Sequence, residues 1–319
     1  MAVYTHLSAE TLAELISHYD AGQLVSAKGI AEGISNSNWL IETTRSRFIL
    51  TMYERRFDLG DLPFFLDLMD HLSAKGCPVP RTIHDRNGAS YRMLDGKAVA
   101  LIEFLPGVSV GRPTAAQAHS VGRALADNHL AVDDFGQTRK NGLDLSTCNA
   151  VLENTADSDL EAIHPDLPAL LADERRCPNE TNHDDLPTGV VHCDLFPDNV
   201  LMTGDRVSGL IDFYFAATDR LAYDLAVTHA AWCFGHDGRD YRREVGEALV
   251  AGYESVRPLT RSERESMTSL LRRACMRFIA SRAEDWLSTP PGALVTRKDP
   301  MDFARRLQFY RANGAGLFT

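Results

Sequence analysis

One segment, residues 190–213 with the sequence VVHCDLFPDNVLMTGDRVSGLIDF, constrains the fold of this 319-residue chain more than any other. Two short apolar stretches flank Gly204-Asp205, a pair that is typical of tight turns. The pattern therefore predicts a β-hairpin. Because a hairpin returns the chain to its starting edge, we expect Asn199 and Asp212 to lie at the same end of it.

The polar residues of this segment are spaced as H-x-D-x-x-x-x-N, followed after the hairpin by D-F. This spacing is typical of a loop that transfers phosphoryl groups. Asp194 is then the expected catalytic base, and His192 is expected to brace the loop by hydrogen bonds. Asn199 and Asp212 offer the oxygen ligands that Mg²⁺ prefers. ATP and Mg²⁺ are therefore the predicted cofactors. A plain hairpin with polar turn residues is the alternative, and the combination of all these features disfavours it.

Composition limits the class of protein. Apolar residues make up 44% and charged residues 24% of the chain, as in soluble globular proteins. The net charge of −11 argues against a nucleic-acid or membrane-surface partner. The six cysteines include no C-x-x-C pair, and we expect them to be reduced thiols. The chain shows no signal peptide and no apolar run long enough for a membrane span, so we predict a cytoplasmic protein.

The first hundred residues differ in pattern from the rest. They predict a small sheet with helices that begin near Ser8 and Pro63, whereas the later residues predict mainly helices. Residues 29–38 are interpreted as a turn-forming segment between strands. The expected fold class is α+β, a protein-kinase-like bilobal fold with a nucleotide-binding lobe at 1–103 and a catalytic and substrate-binding lobe at 104–319. In such a fold the nucleotide is expected in the cleft between the lobes.

Six stretches between residues 33 and 300 resemble a known family. They are GISNSNWLIET, RFILTMYERR, LPFFLDLMDHL, VVHCDLFPDNVL, GLIDFYFAATDRLAYDLAVTHAAWCF and PPGALVTRKDP. HCDLFPDN with IDFYFA is similar to the aminoglycoside-phosphotransferase-like kinases, which are related to protein kinases. The other stretches resemble the bacterial homoserine kinases built on this fold.

The resemblance implies an activity and a set of site residues. ATP would phosphorylate the side-chain hydroxyl of L-homoserine, which gives O-phospho-L-homoserine for threonine biosynthesis. Asp224 resembles the structural aspartate of the family, and the residue roles above carry over by position. The loop before the second strand and the connector between the lobes would bind the nucleotide, and they supply these candidates: Gly33, Ser35, Asn36, Asn38, Glu103 and Leu105.

Two features depart from the protein-kinase pattern or stay open. Thr51 stands where protein kinases carry a phosphate-binding lysine. The replacement cation is unassigned, and nearby arginines are the candidates: Arg45, Arg47, Arg55 and Arg56. For the substrate site we predict Tyr214 and Trp232, which lie in stretches that could line a cleft.

Three functions remain as alternatives. The leading hypothesis is a homoserine kinase that acts as a monomer or weak homodimer on a small-molecule substrate. The second is a kinase for another small amine or sugar, such as an aminoglycoside, choline or an amino-sugar. The third is a non-catalytic pseudokinase, which the neutral Thr51 suggests and which the intact Asp194, Asn199 and Asp212 disfavour.

Overall fold

The computed structural model describes residues 7–30, 36–54, 58–177, 185–289 and 297–318. The chain divides into two compact units, Met1–Pro106 and Gly107–Thr319. The functional division at residues 103 and 104 stays a prediction. In the described part of the chain, no helix is both long and apolar enough to cross a membrane.

The described part of the N-terminal unit is an antiparallel sheet with two helices. The strands lie in the order β1-β2-β3-β6-β4, and β5 also pairs with β6. The elements in chain order are α1 Ala9–Ser17, β1 Leu24–Ile30, β2 Asn36–Thr43, β3 Arg47–Tyr53, α2 Leu62–Ala74, β4 Thr82–Ile83, β5 Arg92–Leu94 and β6 Lys97–Glu103.

Helix α1 covers one face of this sheet. Ser8 caps it as predicted, because its side-chain oxygen accepts a hydrogen bond of 3.1 Å from the Thr11 N–H. The apolar side chains of α1 pack on alternate residues of the central strands, among them Trp39 and Leu50, which face each other across β2 and β3. Apolar residues recur about every 3.6 residues in the helix and every second residue in the strands, so that both sets face one core.

The interpretation of residues 29–38 as a turn is wrong at both ends. Gly29 belongs to β1, and Asn36 begins β2, where it pairs with Tyr53. Asn and Ser are common turn formers, but here Ser37 and Asn38 form side-chain hydrogen bonds across the sheet. The Ser37 hydroxyl donates to Glu54 Oε1 at 2.8 Å, for example. Residues 31–35, with Gly33 and Ser35, lie outside the described residues.

The C-terminal unit is mainly helical, as predicted. Its long helix α9 packs against α4, α7 and α10. Two short ladders, β7 with β10 and β8 with β9, complete it. The elements are α3 Ala115–Ala131, α4 Leu145–Asn154, α5 Asp157–Ile163, α6 Leu167–Arg176, β7 Thr188–Val191, β8 Val200–Thr203, β9 Arg206–Leu210, β10 Ala217–Arg220, α7 Leu221–Trp232, α8 Arg243–Glu254, α9 Arg261–Ser288 and α10 Met301–Asn313.

Helix α7 is buried along its whole length, and each of its residues from Leu221 to Trp232 is inaccessible or nearly so. Its sequence is apolar around the whole helix apart from a few polar residues, which is typical of a helix at the centre of a unit. Those polar residues, Asp224, Thr228 and His229, must therefore find partners within the protein.

Helices α3 and α8 approach each other closely at two glycines. A Cβ atom on Gly122 of α3 would collide with the Leu249 carbonyl of α8, and one on Gly252 would collide with the His119 carbonyl. Only glycine permits such an approach between two backbones. The contact places His129 of α3 beside Tyr253 of α8, with ring centroids 5.6 Å apart.

We predict that Gly122→Ala lowers the free energy of unfolding by about 1–3 kcal/mol, because the new methyl group overpacks a contact between rigid backbones. Alanine favours a helix over glycine by about 1 kcal/mol, so a stabilising result would contradict this view of the contact. The control is Gly142→Ala, where a Cβ meets no atom within 4 Å. Urea unfolding of both variants measures the difference.

Candidate active site

The predicted hairpin is present and closes on itself at the predicted residues. Val200 of β8 pairs with Leu210 of β9. Just beyond this pair, the Ile211 N–H donates to the Asn199 carbonyl at 3.0 Å. Asn199 and Asp212 therefore lie at the same end of the ribbon, next to the loop that follows β7.

His192 joins this loop to the strand that ends at Asp212. Its Nε2–H donates to the Ile211 carbonyl at 2.9 Å, so its Nδ1 accepts the Asp194 N–H at 3.2 Å. Burial lowers the pKa of His192, which keeps the ring in the neutral form that this pattern requires. From this position the side chain can brace the loop.

The buried carboxylate of Asp224 in α7 holds the start of the loop. It accepts the backbone N–H groups of His192 and Cys193, each at 2.7 Å. Cys193 has a left-handed φ of 62°, a conformation that is uncommon for residues other than glycine. The two hydrogen bonds to Asp224 compensate for the cost of this conformation.

A chain of buried polar side chains continues behind Asp224. His129 Nε2–H donates to Asp224 at 3.1 Å, and His129 Nδ1 accepts the Tyr253 hydroxyl at 2.8 Å. Arg257 donates to the Tyr253 oxygen at 3.0 Å and to Glu263 at 2.8 Å. Glu263 also closes the capping box at the first turn of α9. The catalytic loop is thus linked to the start of α9.

The charge of Asp224 is stabilised by this chain. Desolvation raises the pKa of the Asp224 carboxyl, but the hydrogen bonds that it accepts from His129 and from the His192 N–H outweigh this effect. The net result is a pKa below the ordinary value of 3.8.

Arg277 of α9 lies against the catalytic loop, and sequence reasoning missed it. Its Nη2 is 3.5 Å from Asp194 Oδ1, and its Nη1 donates to the Cys193 carbonyl. The side chain is 3% exposed, and its guanidinium lies 4.4 Å from the ring centroid of Phe278. Desolvation would lower the pKa of Arg277, but the Asp194 carboxylate outweighs it and raises that pKa. The permanent cation therefore fixes the orientation of Asp194.

The amide of Asn199 is oriented by Asp194. Its Nδ2 donates to the Asp194 carbonyl at 2.7 Å and is 3.3 Å from Asp194 Oδ2. Both neighbours are acceptors, so the amide nitrogen must face them. Asn199 Oδ1 is left as an oxygen ligand on the other side.

Asp212 supplies a carboxylate without a hydrogen-bond partner among the described residues. Its residue is exposed, but protein atoms crowd the carboxyl group. This desolvation and the negative charges of Asp194 and Asp198 raise the pKa of Asp212 to about 7, although Lys298 lowers it in part. A divalent cation would relieve that repulsion.

The donor set fits Mg²⁺ better than a metal held by protein ligands alone. Within the described ranges no three His, Cys, Asp or Glu side chains are grouped to hold a metal ion. Mg²⁺ bound to a nucleotide commonly takes one or two protein ligands and completes its octahedron with phosphate oxygens and water. Asn199 and Asp212 meet that requirement.

The two substrate residues predicted from the sequence differ in position. Tyr214 is half-buried in the short helical turn Phe213–Phe215 that follows Asp212. Trp232 is fully buried, and its indole N–H donates to the Leu195 carbonyl at 2.9 Å. Contact between Trp232 and a substrate is therefore not supported. The tryptophan supports the loop from behind, because a buried indole N–H needs an acceptor.

The nucleotide residues predicted in the N-terminal unit are partly engaged with neighbours. The Thr51 hydroxyl donates to Asn38 Oδ1 at 2.8 Å within the sheet. Asn36 is buried, Leu105 is half-buried, and Glu103 accepts the Arg81 N–H at 3.3 Å. Their contacts with a nucleotide stay a prediction.

The arginines proposed to replace the strand lysine are also accounted for in part. Arg45 forms an exposed ion pair with Asp20 at 2.5 Å, and Arg47 lies over the Phe104 ring at 4.6 Å. Arg55 and Arg56 lie outside the described residues.

Comparison with known proteins supplies the family context. Residues 26–259 match the model of the phosphotransferase enzyme family. A homoserine kinase of Azorhizobium caulinodans is 47% identical over 98% of this chain and 97% of its own length. One of Methylobacterium radiotolerans is 48% identical over 98% of this chain and 96% of its own length.

The fold is also found among solved structures. The spectinomycin phosphotransferase APH(9)-Ia, in complex with ADP and spectinomycin, superposes with a TM-score of 0.68 and 14% identity. The match covers 98% of this chain and 100% of that one. At this identity the likeness concerns the fold alone, and it confirms the predicted α+β kinase-like fold.

We predict that Asp224→Asn lowers the free energy of unfolding by about 1–3 kcal/mol at neutral pH, because an amide leaves at least one buried donor unsatisfied. The folded-state pKa of Asp224 is lowered, so its contribution is fully present above about 3.8 and is lost as the pH falls through the folded-state value. The difference between wild type and variant should therefore shrink in acid. Urea unfolding from pH 7 to pH 3 measures it.

The control for this prediction is Asp127→Asn on the exposed face of α3, two residues from His129. It should change the free energy of unfolding by less than about 0.5 kcal/mol at every pH. A difference for Asp224→Asn that stays constant into acid would contradict the ionised state of the buried carboxyl.

Proposed function

The chain belongs to the phosphotransferase enzyme family, and from this premise we propose that it is a homoserine kinase. It transfers the γ-phosphoryl group of ATP to the side-chain hydroxyl of L-homoserine, and O-phospho-L-homoserine then serves threonine biosynthesis. The observation that carries the proposal is identity of 47% and 48% to homoserine kinases over nearly the whole of both chains. The family and the class of ATP-dependent phosphotransferase predicted from the sequence are confirmed.

We assign the metal site to Asn199 and Asp212. Among the described residues, Asn199 Oδ1 has no hydrogen-bond donor, because the amide nitrogen faces Asp194, and the Asp212 carboxylate has no hydrogen-bond partner. Mg²⁺ at this site would neutralise the phosphate charge that develops during transfer. The protein contributes two oxygen ligands that are fixed at one end of the hairpin.

Asp194 is the proposed base. The substrate hydroxyl forms a bond to the γ-phosphorus while the bond from that phosphorus to the bridging oxygen breaks, and its proton passes to the Asp194 carboxylate. Transfer of this kind passes through a loose transition state, so orientation of the hydroxyl matters more than base strength. Arg277 and Asn199 hold the Asp194 carboxyl from two sides. These two contacts keep the carboxyl group in a fixed orientation toward the incoming hydroxyl.

The alternatives predicted from the sequence have less support. A pseudokinase has no need for the bonds that orient Asn199 and Asp194. A kinase for another amine or sugar shares the fold, but the two full-length relatives named above, at 47% and 48% identity, are homoserine kinases. A cytoplasmic location and a monomer or weak homodimer remain proposals.

An ATP-consumption assay tests the substrate. We expect kcat/KM for L-homoserine to exceed that for L-serine, L-threonine, choline and an aminoglycoside by at least about 10-fold, because a site that binds particular polar groups rejects molecules without them. Measuring all five side by side with one enzyme preparation removes differences in active fraction. Preference for any of the other four would overturn the proposed substrate.

Asp194→Ala and Asp212→Asn should affect different steps. The first should lower kcat by about 10²–10⁴-fold with nearly unchanged ATP affinity, because it removes a group that acts on the hydroxyl. The second should also raise the Mg²⁺ concentration needed for half-maximal rate. Steady-state kinetics over a Mg²⁺ series, with nucleotide binding by calorimetry, separates them. Asp205→Asn at the exposed hairpin tip is the control and should match wild type.

A further inference from the structure

One exposed lysine beside the loop that carries Asp194 has no hydrogen-bond or ion-pair partner among the described residues. Lys298 precedes α10, and its ammonium is 5.8 Å from the ring centroid of Phe196, two residues after Asp194. It forms no hydrogen bond or ion pair with any residue in the described part of the chain.

Three arginines described near this loop are bound to protein groups or buried. Arg277 contacts Asp194 and the Cys193 carbonyl, as described above. Arg282 donates to the Asp302 carboxylate and to the Asp299 carbonyl, each at 2.9 Å. Arg306 is 4% exposed beneath the Phe303 ring, out of reach of a ligand from solvent.

The backbone that carries Lys298 is held in place. Besides the bond from Arg282 to the Asp299 carbonyl, Asp299 Oδ1 accepts the Met301 N–H at 2.8 Å, at the start of α10. The Phe303 ring of α10 packs at 4.5 Å from Phe278, which in turn contacts Phe196 at 4.9 Å. The lysine therefore extends a flexible side chain from a fixed point toward the loop.

The position of Lys298 in the chain indicates whether it binds the nucleotide or the phosphoryl acceptor. The match of this chain to the phosphotransferase family model ends at residue 259, whereas the match to a homoserine kinase covers 98% of the chain. Residues that handle ATP are expected within the shared part, since every member uses a phosphoryl donor. A cation beyond residue 259 is therefore better placed to recognise the acceptor than the nucleotide.

We propose that Lys298 binds the α-carboxylate of the amino-acid substrate. The proposal rests on the proposed homoserine kinase function and extends it to a residue that sets specificity. Asp194 contacts Asn199, Asp198 precedes Asn199 in the chain, and Asp212 lies at the same end of the hairpin. Three carboxylates near the proposed metal site would repel a substrate carboxylate. An unpaired ammonium on a flexible stem compensates for this repulsion and can reach the carboxylate as a point charge.

The test compares L-homoserine with 3-aminopropan-1-ol, the same amino alcohol without the carboxylate. Wild type should prefer homoserine. Lys298→Met, which keeps the length of the stem and removes the charge, should lower kcat/KM for homoserine by about 10- to 100-fold, as expected for the loss of a charge-assisted hydrogen bond. It should leave the rate with 3-aminopropan-1-ol and the KM for ATP nearly unchanged. Lys298→Arg should restore part of the preference.

The control is Arg297→Met, which removes the neighbouring exposed cation. Arg297 donates to the Thr289 carbonyl at 2.6 Å and lies over the Trp286 ring, away from Phe196. Arg297→Met should keep the wild-type preference for homoserine. Thermal melting should show that this variant and the two Lys298 variants remain folded.

Two outcomes would overturn the assignment. If Lys298→Met keeps the preference for homoserine, the carboxylate is bound elsewhere. If it lowers the rate with both acceptors equally and raises the KM for ATP, the lysine serves the phosphates. Failure of the proposed function looks different from either, because wild type itself would then show no preference for homoserine over 3-aminopropan-1-ol.

Discussion

The geometry of the site depends on the buried carboxylate of Asp224. A buried carboxylate is stable only when its oxygens are fully hydrogen-bonded, and here the donors are two successive backbone N–H groups of the loop and one imidazole. The same bonds hold Cys193 in its left-handed conformation, which turns the chain so that Asp194 comes next to Arg277 and Asn199. The buried carboxylate of Asp224 thus holds the backbone that carries Asp194, the proposed base.

The anchor is shared among helices that are distant in sequence. His129 belongs to α3, Tyr253 to α8 and Glu263 to α9. His129 bonds to Asp224 and to Tyr253, and Arg257 links Tyr253 to Glu263. Glycines at the crossing of α3 and α8 bring the first two within reach of each other. Because a half-satisfied buried network is worse than an apolar core, packing of these helices and formation of the loop are expected to be coupled.

The sequence predicted the parts of the site whose spacing is local. His192, Asp194, Asn199 and the hairpin fall within a short segment, and a turn of fixed length determines how they meet. The sequence did not reveal Arg277, because it lies 83 residues after Asp194 (277 minus 194). Its helix α9 also carries polar residues on several sides, so that one arginine does not stand out. The structure does not support the predicted contact of Trp232 with a substrate, for a related reason. The sequence does not distinguish a tryptophan that faces a ligand from one that packs behind a loop. The predicted turn at residues 29–38 is wrong at Asn36, because the pairing of Asn36 with Tyr53 cannot be derived before the strand register is known.

Burial decides what each cation beside the loop can do. Arg277 has lost its access to water, so it must remain next to Asp194 and the Cys193 carbonyl, and removing either would leave a buried charge without compensation. Arg282 similarly fixes the start of α10 through Asp299 and Asp302. Lys298 keeps its hydration and has no acceptor among the described residues, so it alone of these three can exchange water for a ligand at low cost. Arg277 is buried and Arg282 is half-buried, and both position the backbone, whereas the exposed Lys298 has no acceptor in the described ranges and can bind a ligand. Solvent access therefore determines these roles more than residue type does.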